Sequence, residues 1–264
     1  MNRYIKILSD IVLLLCLSTY SMCQNLSEFE NLKFLSLGMG VQDVCPYEDY
    51  DYYVLSVQYA SKKFINLDTL CLGSKKCNEI LKRMKNKNVL TLHGLWPSYM
   101  SGQSMEKNCN LGDEIKIVDE SSELFEEMKS VWKSFVNSDE EFWTHEYNKH
   151  GYCYTSKYQK TDYREFFKIT VDTYTKFNLE TLIGQAFGDF SGDKEFDLND
   201  FSDTISKVTK GFTYSLKCRN YSGKQYLMEI RFNFGLDFEP IKSPVKSDSN
   251  GNCRKDMPLY LSFY

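Results

Sequence analysis

The apolar pattern of this chain changes period twice along its length, and that order limits the fold more than any other property of the sequence. Asp51 to Tyr59, Asp-Tyr-Tyr-Val-Leu-Ser-Val-Gln-Tyr, is rich in aromatic and β-branched residues and reads as a central strand. A second short strand, Val89 to Leu92, runs directly into His93. From Asp119 to Val136 the residues Leu124, Phe125, Met128, Val131, Trp132 and Phe135 recur at three- and four-residue steps, acids early and lysines later, as in an amphipathic helix. Ser138-Asp139-Glu140-Glu141 then offers a capped, acidic start to another helix. The helical period returns over Asp162 to Phe177 and again over Leu198 to Val208, with Asn199 or Asp200 as its cap. Phe212 to Cys218 and Gln225 to Phe234 read as a strand pair turned at Ser222-Gly223, Pro240 to Asp256 as loop, and Leu259 to Tyr264 as a last strand. Strands, then helices, then strands predict an α+β fold in a single domain, with a central, mostly antiparallel sheet packed by several helices.

The first residues read as an address rather than as part of that fold. Arg3 and Lys6 precede the apolar run from Ile11 to Leu17, about the length of a signal-peptide core and too short to span a bilayer. Small residues at Ser21 and Cys23 fit cleavage before Gln24. The expected organisation is a signal peptide over residues 1–23, one domain over 24–264, no membrane span and an exported product. Arg3, Lys6 and Asp10 leave with the leader, which moves the formal charge from −4 to −5. An acidic whole argues against tight, nonspecific, phosphate-driven binding. It leaves room for an enzyme with a local cationic site that must release a nucleic-acid product.

Of nine cysteines, Cys16 and Cys23 belong to the leader; Cys45, Cys71, Cys77, Cys109, Cys153, Cys218 and Cys253 remain. In an oxidising compartment these are expected to be mostly bridged, so the fold is stapled by disulfides, and an odd number leaves at least one thiol free or joined to another molecule. Their spacings match no four-ligand zinc site, because Cys71 and Cys77 stand too far apart and lack a matching second pair. No metal or other cofactor is expected. Two glycosylation sequons remain: Asn25-Leu26-Ser27, beside the cleavage point, and Asn220-Tyr221-Ser222, better placed in a turn-like stretch.

Only three histidines occur, all within Leu92-His93-Gly94-Leu95-Trp96-Pro97 and Phe142-Trp143-Thr144-His145-Glu146-Tyr147-Asn148-Lys149-His150-Gly151-Tyr152-Cys153. Imidazole titrates near neutral pH and is the usual carrier of protons in catalysis. On an ideal helix with His145 at zero, Lys149 falls at about 40 degrees, Phe142 at about 60, Glu146 at about 100 and His150 at about 140. Two histidines, an acid and an amine then share one broad face, a poor core and a plausible seat for an anionic transition state. Gly151 is expected to let the helix stop. A zinc protease needs its histidines four apart; here they are five apart and diverge. Trp96 alone would read as core, but beside a strand-end histidine its face is available to stack on a base. A bridge between Cys109 and Cys153, each close behind a histidine segment, would staple the two halves of the site.

His-Gly-Leu-Trp-Pro, with Trp-x-His-Glu-x-x-Lys-His-Gly-x-Cys farther along, resembles the two active-site segments of the ribonuclease T2 family of secreted endoribonucleases. Looser likeness runs from about Asp51 to Leu-Met-Glu-Ile-Arg near residue 230. The resemblance implies an α+β fold and metal-free cleavage of single-stranded RNA, the ribose 2'-hydroxyl attacking phosphorus to leave a 2',3'-cyclic phosphate that is later hydrolysed. DNA, which lacks that hydroxyl, would be inert. His150 resembles the general base, His93 the general acid, His145 the phosphate-holding histidine, and Glu146 with Lys149 the pair that stabilises the crowded phosphorus. Trp96 would serve the base 5' of the cut, and Phe142 with Gln58 the base 3' of it. Tyr147 stands where the family usually has tryptophan, Ser98 where many members carry an acid or amide that helps choose the base, and Gln58-Tyr59-Ala60 departs from the usual Trp-Pro. No base preference follows. The resemblance also pairs Cys71 with Cys77, Cys109 with Cys153 and Cys218 with Cys253, leaving Cys45 as the odd thiol, and admits an endolysosomal residence besides secretion. A reading from another class is a secreted glycoprotein that keeps the fold and acts mainly by binding or signalling. The intact His93, His145, Glu146, Lys149 and His150 favour catalysis, since a binder has no physical need of the full set.

Overall fold

Tyr53, Leu55, Val57 and Tyr59 alternate along β1 (Tyr52–Tyr59), and all four are buried. That period-two pattern gives the sheet its core face. The computed structural model describes residues 50–59, 90–99, 115–118, 121–134, 137–158, 162–187, 193–242 and 250–262. All of them belong to the second of two units into which the chain divides, Tyr50–Tyr264. The expected leader, Asn25, Cys45, Cys71, Cys77 and Cys109 lie outside the described residues.

β1 pairs antiparallel with β2 (Leu90–Ser98) on one side and with β5 (Lys224–Phe234) on the other. β5 organises the sheet. It also pairs antiparallel with β4 (Tyr214–Tyr221), through the expected hairpin at Ser222-Gly223, and parallel with β6 (Leu259–Ser262), which carries β3 (Asp193–Phe196) at its far edge. The sheet is mixed but mostly antiparallel, and the fold is α+β. Cys218 on β4 is bridged to Cys253, 35 residues on, which fastens the segment before β6 to the hairpin. The side chain of Asn252 reinforces that joint by bonding both the N–H and the carbonyl of Cys218.

The helices are α1 (Glu123–Val131), α2 (Asp139–Glu146), α3 (Tyr152–Lys157), α4 (Arg164–Lys176), α5 (Leu179–Phe187) and α6 (Leu198–Val208), with a π turn, Tyr147–Gly151, joining α2 to α3. Ser138 and Glu141 form a reciprocal capping box at the start of α2, as the sequence predicts. α6 has the expected limits, but its cap is Asp197, whose carboxylate accepts from the N–H groups of both Asn199 and Asp200. α1 is shorter than its apolar period. Thr91 of β2 accepts from the Lys133 N–H and donates to the Val131 carbonyl, so the strand replaces the bonds that the next helical turn would have made. Trp132, just past the helix, stands against Phe166 and Phe167 of α4 in the core. The local sequence pattern predicts neither α5 nor the polar edge strand β3.

Two expectations fail at the site itself. β2 does not stop at Leu92 but continues to Ser98, so His93 lies inside a strand. The helix with the second histidine segment does not end at Gly151; it widens by one residue and runs on as α3. Among the described residues no helix is long and apolar enough to cross a membrane.

Candidate active site

The β1–β2 register slips at His93. Val57 faces Leu92 and Ser56 faces Gly94, so His93 is the extra residue of a bulge. Without it, strict alternation could not keep both Leu92 and Leu95 buried, as they are. The bulge turns His93 toward the face shared by Ser56, Trp96, Glu229 and Arg231. Its carbonyl, freed from the ladder, accepts the Trp132 indole N–H at 2.9 Å, and Trp132's own carbonyl accepts from the Trp143 indole. Two core tryptophans thus fix the backbone of the histidine.

The π turn does the corresponding work on the helix. Its i→i+5 bonding winds fewer degrees per residue than an α-helix, which draws His150 back toward the face of His145 and Glu146. Gly151 makes that turn practicable, since a Cβ there would stand 2.4 Å from the Tyr147 ring and 2.8 Å from Phe166. Tyr147 is buried among Tyr152, Tyr163, Phe166 and Phe167, so the aromatic that replaces the expected tryptophan belongs to the core. Asn148 bonds both the N–H and the carbonyl of Ile115.

Where the two segments meet, Glu146, only 2% exposed, accepts the Trp96 indole N–H at 2.9 Å and lies 3.6 Å from His93 Nε2. Trp96 meets both histidines, its ring 5.0 Å from His93 and 5.5 Å from His150. The Phe142 ring is 5.6 Å from His93. His145 and Lys149 are exposed, their charges felt by both Glu146 and His150. The structure therefore brings His93, Trp96, Phe142, His145, Glu146, Lys149 and His150 together. Gln58 stands apart in function: its amide donates to the carbonyls of Leu92 and Lys133, leaving only its oxygen to offer a base.

Sequence reasoning missed Glu229 and Arg231 of β5. Glu229 Oε1 is 2.7 Å from His93 Nδ1; Oε2 accepts from Ser56 and, at 2.8 Å, from Arg231 Nε. The Arg231 guanidinium also lies over the Trp96 ring, 4.9 Å from its centre. The available signal was an acid and a base alternating with Ile230 and Phe232, two apolar core residues, in one strand.

The two histidines are driven apart in proton affinity. Burial alone would lower His93, but the Glu229 hydrogen bond and the charges of Glu146 and Glu229 outweigh it, against Arg231, and hold His93 above its ordinary value. His150 is pulled down to about 2 by burial, then by the positive charges of Lys149, His93 and His145. Its Nδ1 is buried and meets no hydrogen-bond partner among the described residues. Burial raises Glu146, against His93, the Trp96 bond, His145 and Lys149. Burial would raise Glu229 too, but the His93 bond and the His93 and Arg231 charges bring it to about 2. Protonation is thus favoured at His93 and disfavoured at His150, the division that acid–base catalysis by a pair of groups requires. Among the described residues no group of three or more histidine, cysteine or acidic side chains is placed to hold a metal ion.

Fold and site together define an α+β protein in which two histidines of opposed proton affinity meet beside a buried carboxylate. A model of the Ribonuclease T2 family matches residues 50–253, and the chain belongs to that family. Ribonuclease 1 of Arabidopsis thaliana is 31% identical over 189 residues, covering 69% of this chain and 75% of the relative. Ribonuclease M of Aspergillus phoenicis is 29% identical over 146 residues, 49% of this chain and 61% of the relative. The chain spans about half the length of several curated relatives it matches, such as 43% of a Ribonuclease T2-like protein of Emericella nidulans, 27% identical over 187 residues. Among solved structures, the RNase-related protein from Calystegia sepium superposes with a TM-score of 0.60 at 20% identity, over 82% of this chain and 98% of that one. RNase NT in complex with 5'-AMP gives 0.56 at 22% identity, over 77% and 95%. At these identities the superpositions establish the shared fold.

Proposed function

We propose that this chain is an exported, metal-independent endoribonuclease that cleaves single-stranded RNA through a 2',3'-cyclic phosphate. The observation that carries the reading is the pair His93 and His150, both against the Trp96 ring, with proton affinities moved in opposite directions. Neutral His150 takes the ribose 2'-hydroxyl proton as that oxygen bonds to phosphorus. The bond from phosphorus to the 5'-oxygen breaks, and cationic His93 gives its proton to the departing oxygen. His145, Lys149 and Glu146 surround the phosphoryl oxygens, where preorganised charge is most effective. In a second step the roles reverse, water attacks and a 3'-phosphate is left. DNA is not a substrate.

Trp96 and Phe142 flank the cluster and are assigned to the bases 5' and 3' of the cut, with Gln58 contributing at most an acceptor. Family membership supports the reading, as does the shared fold of RNase NT, solved in complex with 5'-AMP. Export rests on the leader-like residues 1–23. A glycan at Asn220 fits an exposed residue at the end of β4, beside the hairpin turn. Cys153 is disulfide-bonded, and its partner lies outside the described residues; Cys109 is assigned to it, and Cys71 to Cys77.

The test is cleavage of a labelled single-stranded RNA in excess EDTA by the purified protein and by His150→Ala, with analysis of product ends. Cyclic phosphate ends that vanish in the variant are expected. Absence of cleavage by the parent at acidic and neutral pH would overturn the assignment in favour of a binding role for the same fold.

A further inference from the structure

We propose that Glu229 is the positioning residue that fixes His93 for proton donation, with Arg231 and Ser56 holding the Glu229 carboxylate in place. The inference rests on the assignment of His93 as the acid in RNA cleavage. Its basis is geometric. His93 sits on a bulge, which frees its direction from the ladder, and something must then hold the ring. Glu229 Oε1 lies 2.7 Å from Nδ1, while Oε2 accepts from Ser56 Oγ at 3.2 Å and from Arg231 Nε at 2.8 Å. Three residues on three strands, Ser56 of β1, His93 of β2 and Arg231 of β5, converge on one largely buried carboxylate.

An ionised carboxylate only accepts, so the hydrogen in the contact with Nδ1 belongs to the imidazole. That fixes the tautomer: neutral His93 has its lone pair on Nε2, and in the cation the transferable proton is the one on Nε2. Nε2 is also the nitrogen that faces Glu146, 3.6 Å away. Glu229 therefore directs the reactive nitrogen into the cluster. Arg231 keeps Glu229 from capturing the proton itself, since its guanidinium favours the ionised carboxylate. The charged groups acting on His93 are Glu229 and Arg231 from β5 and Glu146 from α2. Of these Glu229 alone bonds the ring nitrogen opposite the reactive one.

The distinguishing experiment uses Glu229→Gln with two substrates. Departure of a ribose 5'-oxygen from RNA needs a proton, whereas 4-nitrophenolate leaves uridine 3'-(4-nitrophenyl phosphate) without one. Loss of an oriented acid is expected to slow RNA cleavage on the order of 100-fold, and the aryl ester at least about tenfold less than that. The alkaline limb of kcat/KM on RNA moves to lower pH, and the double variant His93→Ala/Glu229→Gln is no slower than His93→Ala. Equal losses on both substrates, an unmoved alkaline limb, or a further loss in the His93→Ala background would overturn the proposal and leave Glu229 a structural residue. The unmodified protein gives a second reading that needs no variant to fold. Nitrogen-15 spectra of its three histidines are expected to show neutral His93 protonated on Nδ1; the opposite tautomer refutes the proposal. A parent that cleaves no RNA would instead refute the functional assignment, and the tautomer would still decide the role of Glu229.

Discussion

Replacing Gly94 by alanine has the most sharply defined consequence in this molecule. The new Cβ would stand 2.2 Å from Glu146 Oε2 and 2.6 Å from Trp96 Nε1, where ordinary contact begins at 3.4 Å. Gly94 does not have a left-handed backbone, so the conflict is one of space and not of dihedral strain. Relief requires roughly 1 Å of movement in a carboxylate that is almost wholly buried. The Trp96–Glu146 hydrogen bond lies in the same gap and is lost first. A hydrogen bond to a charged group is worth about 1.5–3 kcal/mol, and a 1 Å misplacement of catalytic groups costs roughly 100-fold. Both routes give a fall in kcat of about 10- to 150-fold for Gly94→Ala. The assay is kcat and KM on a labelled RNA, with thermal unfolding of the same preparations to establish that the variant is folded. A folded alanine variant as fast as its parent would refute the reasoning, because Glu146 would then need neither its position nor its indole partner.

Activity should depend on pH in a bell with its descending limb on the alkaline side. His93 must be protonated and its pKa is raised, so activity is lost as pH climbs through a value above 6.5; His150 must be neutral and is pulled down to about 2, so activity persists well into acid. A kcat/KM profile flat from about pH 4 to 9 would contradict this pairing. Stability follows the same groups. The contribution of Glu229 is present above its unfolded value near 4.5 and is lost as pH falls toward about 2, so a urea midpoint unchanged between pH 5 and 3 would argue against its buried ion pairs. Replacing Cys218 and Cys253 by serine opens a loop of 35 residues and is expected to cost about 4 kcal/mol. Chemical denaturation of the double variant measures that, and an unchanged midpoint would mean that the β4 joint is held by Asn252 alone.

Much of the site was legible because its chemistry is written in short segments. The cap before α2, the limits of α6, the turn at Ser222-Gly223 and the grouping of His145, Glu146, Lys149 and His150 follow from local signals, while the family resemblance joins His93 to them. Irregular backbone was harder. Alternation predicts a strand that ends at Leu92, because Leu90 and Leu92 keep one phase and Leu95 breaks it. The break was itself the signature of a bulge, visible only once both leucines are known to be buried. The angles drawn for an ideal helix could not anticipate a π turn, which depends on packing of Tyr147 against Gly151 and Phe166 rather than on local propensity. Glu229 and Arg231 lay farthest from view. Nothing local says that a strand near the end of the chain pairs with β1 and so stands beside His93; that is a property of the sheet order.

The core therefore dictates the geometry of the chemistry. Burying a leucine side chain is worth about 1.5–3 kcal/mol, and β2 buries one on each side of His93, in opposite phases of a regular strand. Removing the bulge would expose one of them, so the sheet gives the histidine its direction as a consequence of its own packing. The π turn obeys the same logic: an ordinary helix sets residues three apart on one face, whereas the wider turn lets Tyr147 enter the aromatic core while His150 stays beside Trp96. Once these two irregularities are set, Glu146 and Glu229 are buried on either side of His93 at a desolvation cost that only paired charges can offset. Those carboxylates raise the proton affinity of His93 while burial lowers that of His150, so the packing that holds the fold together is the same packing that moves the two histidines in opposite directions.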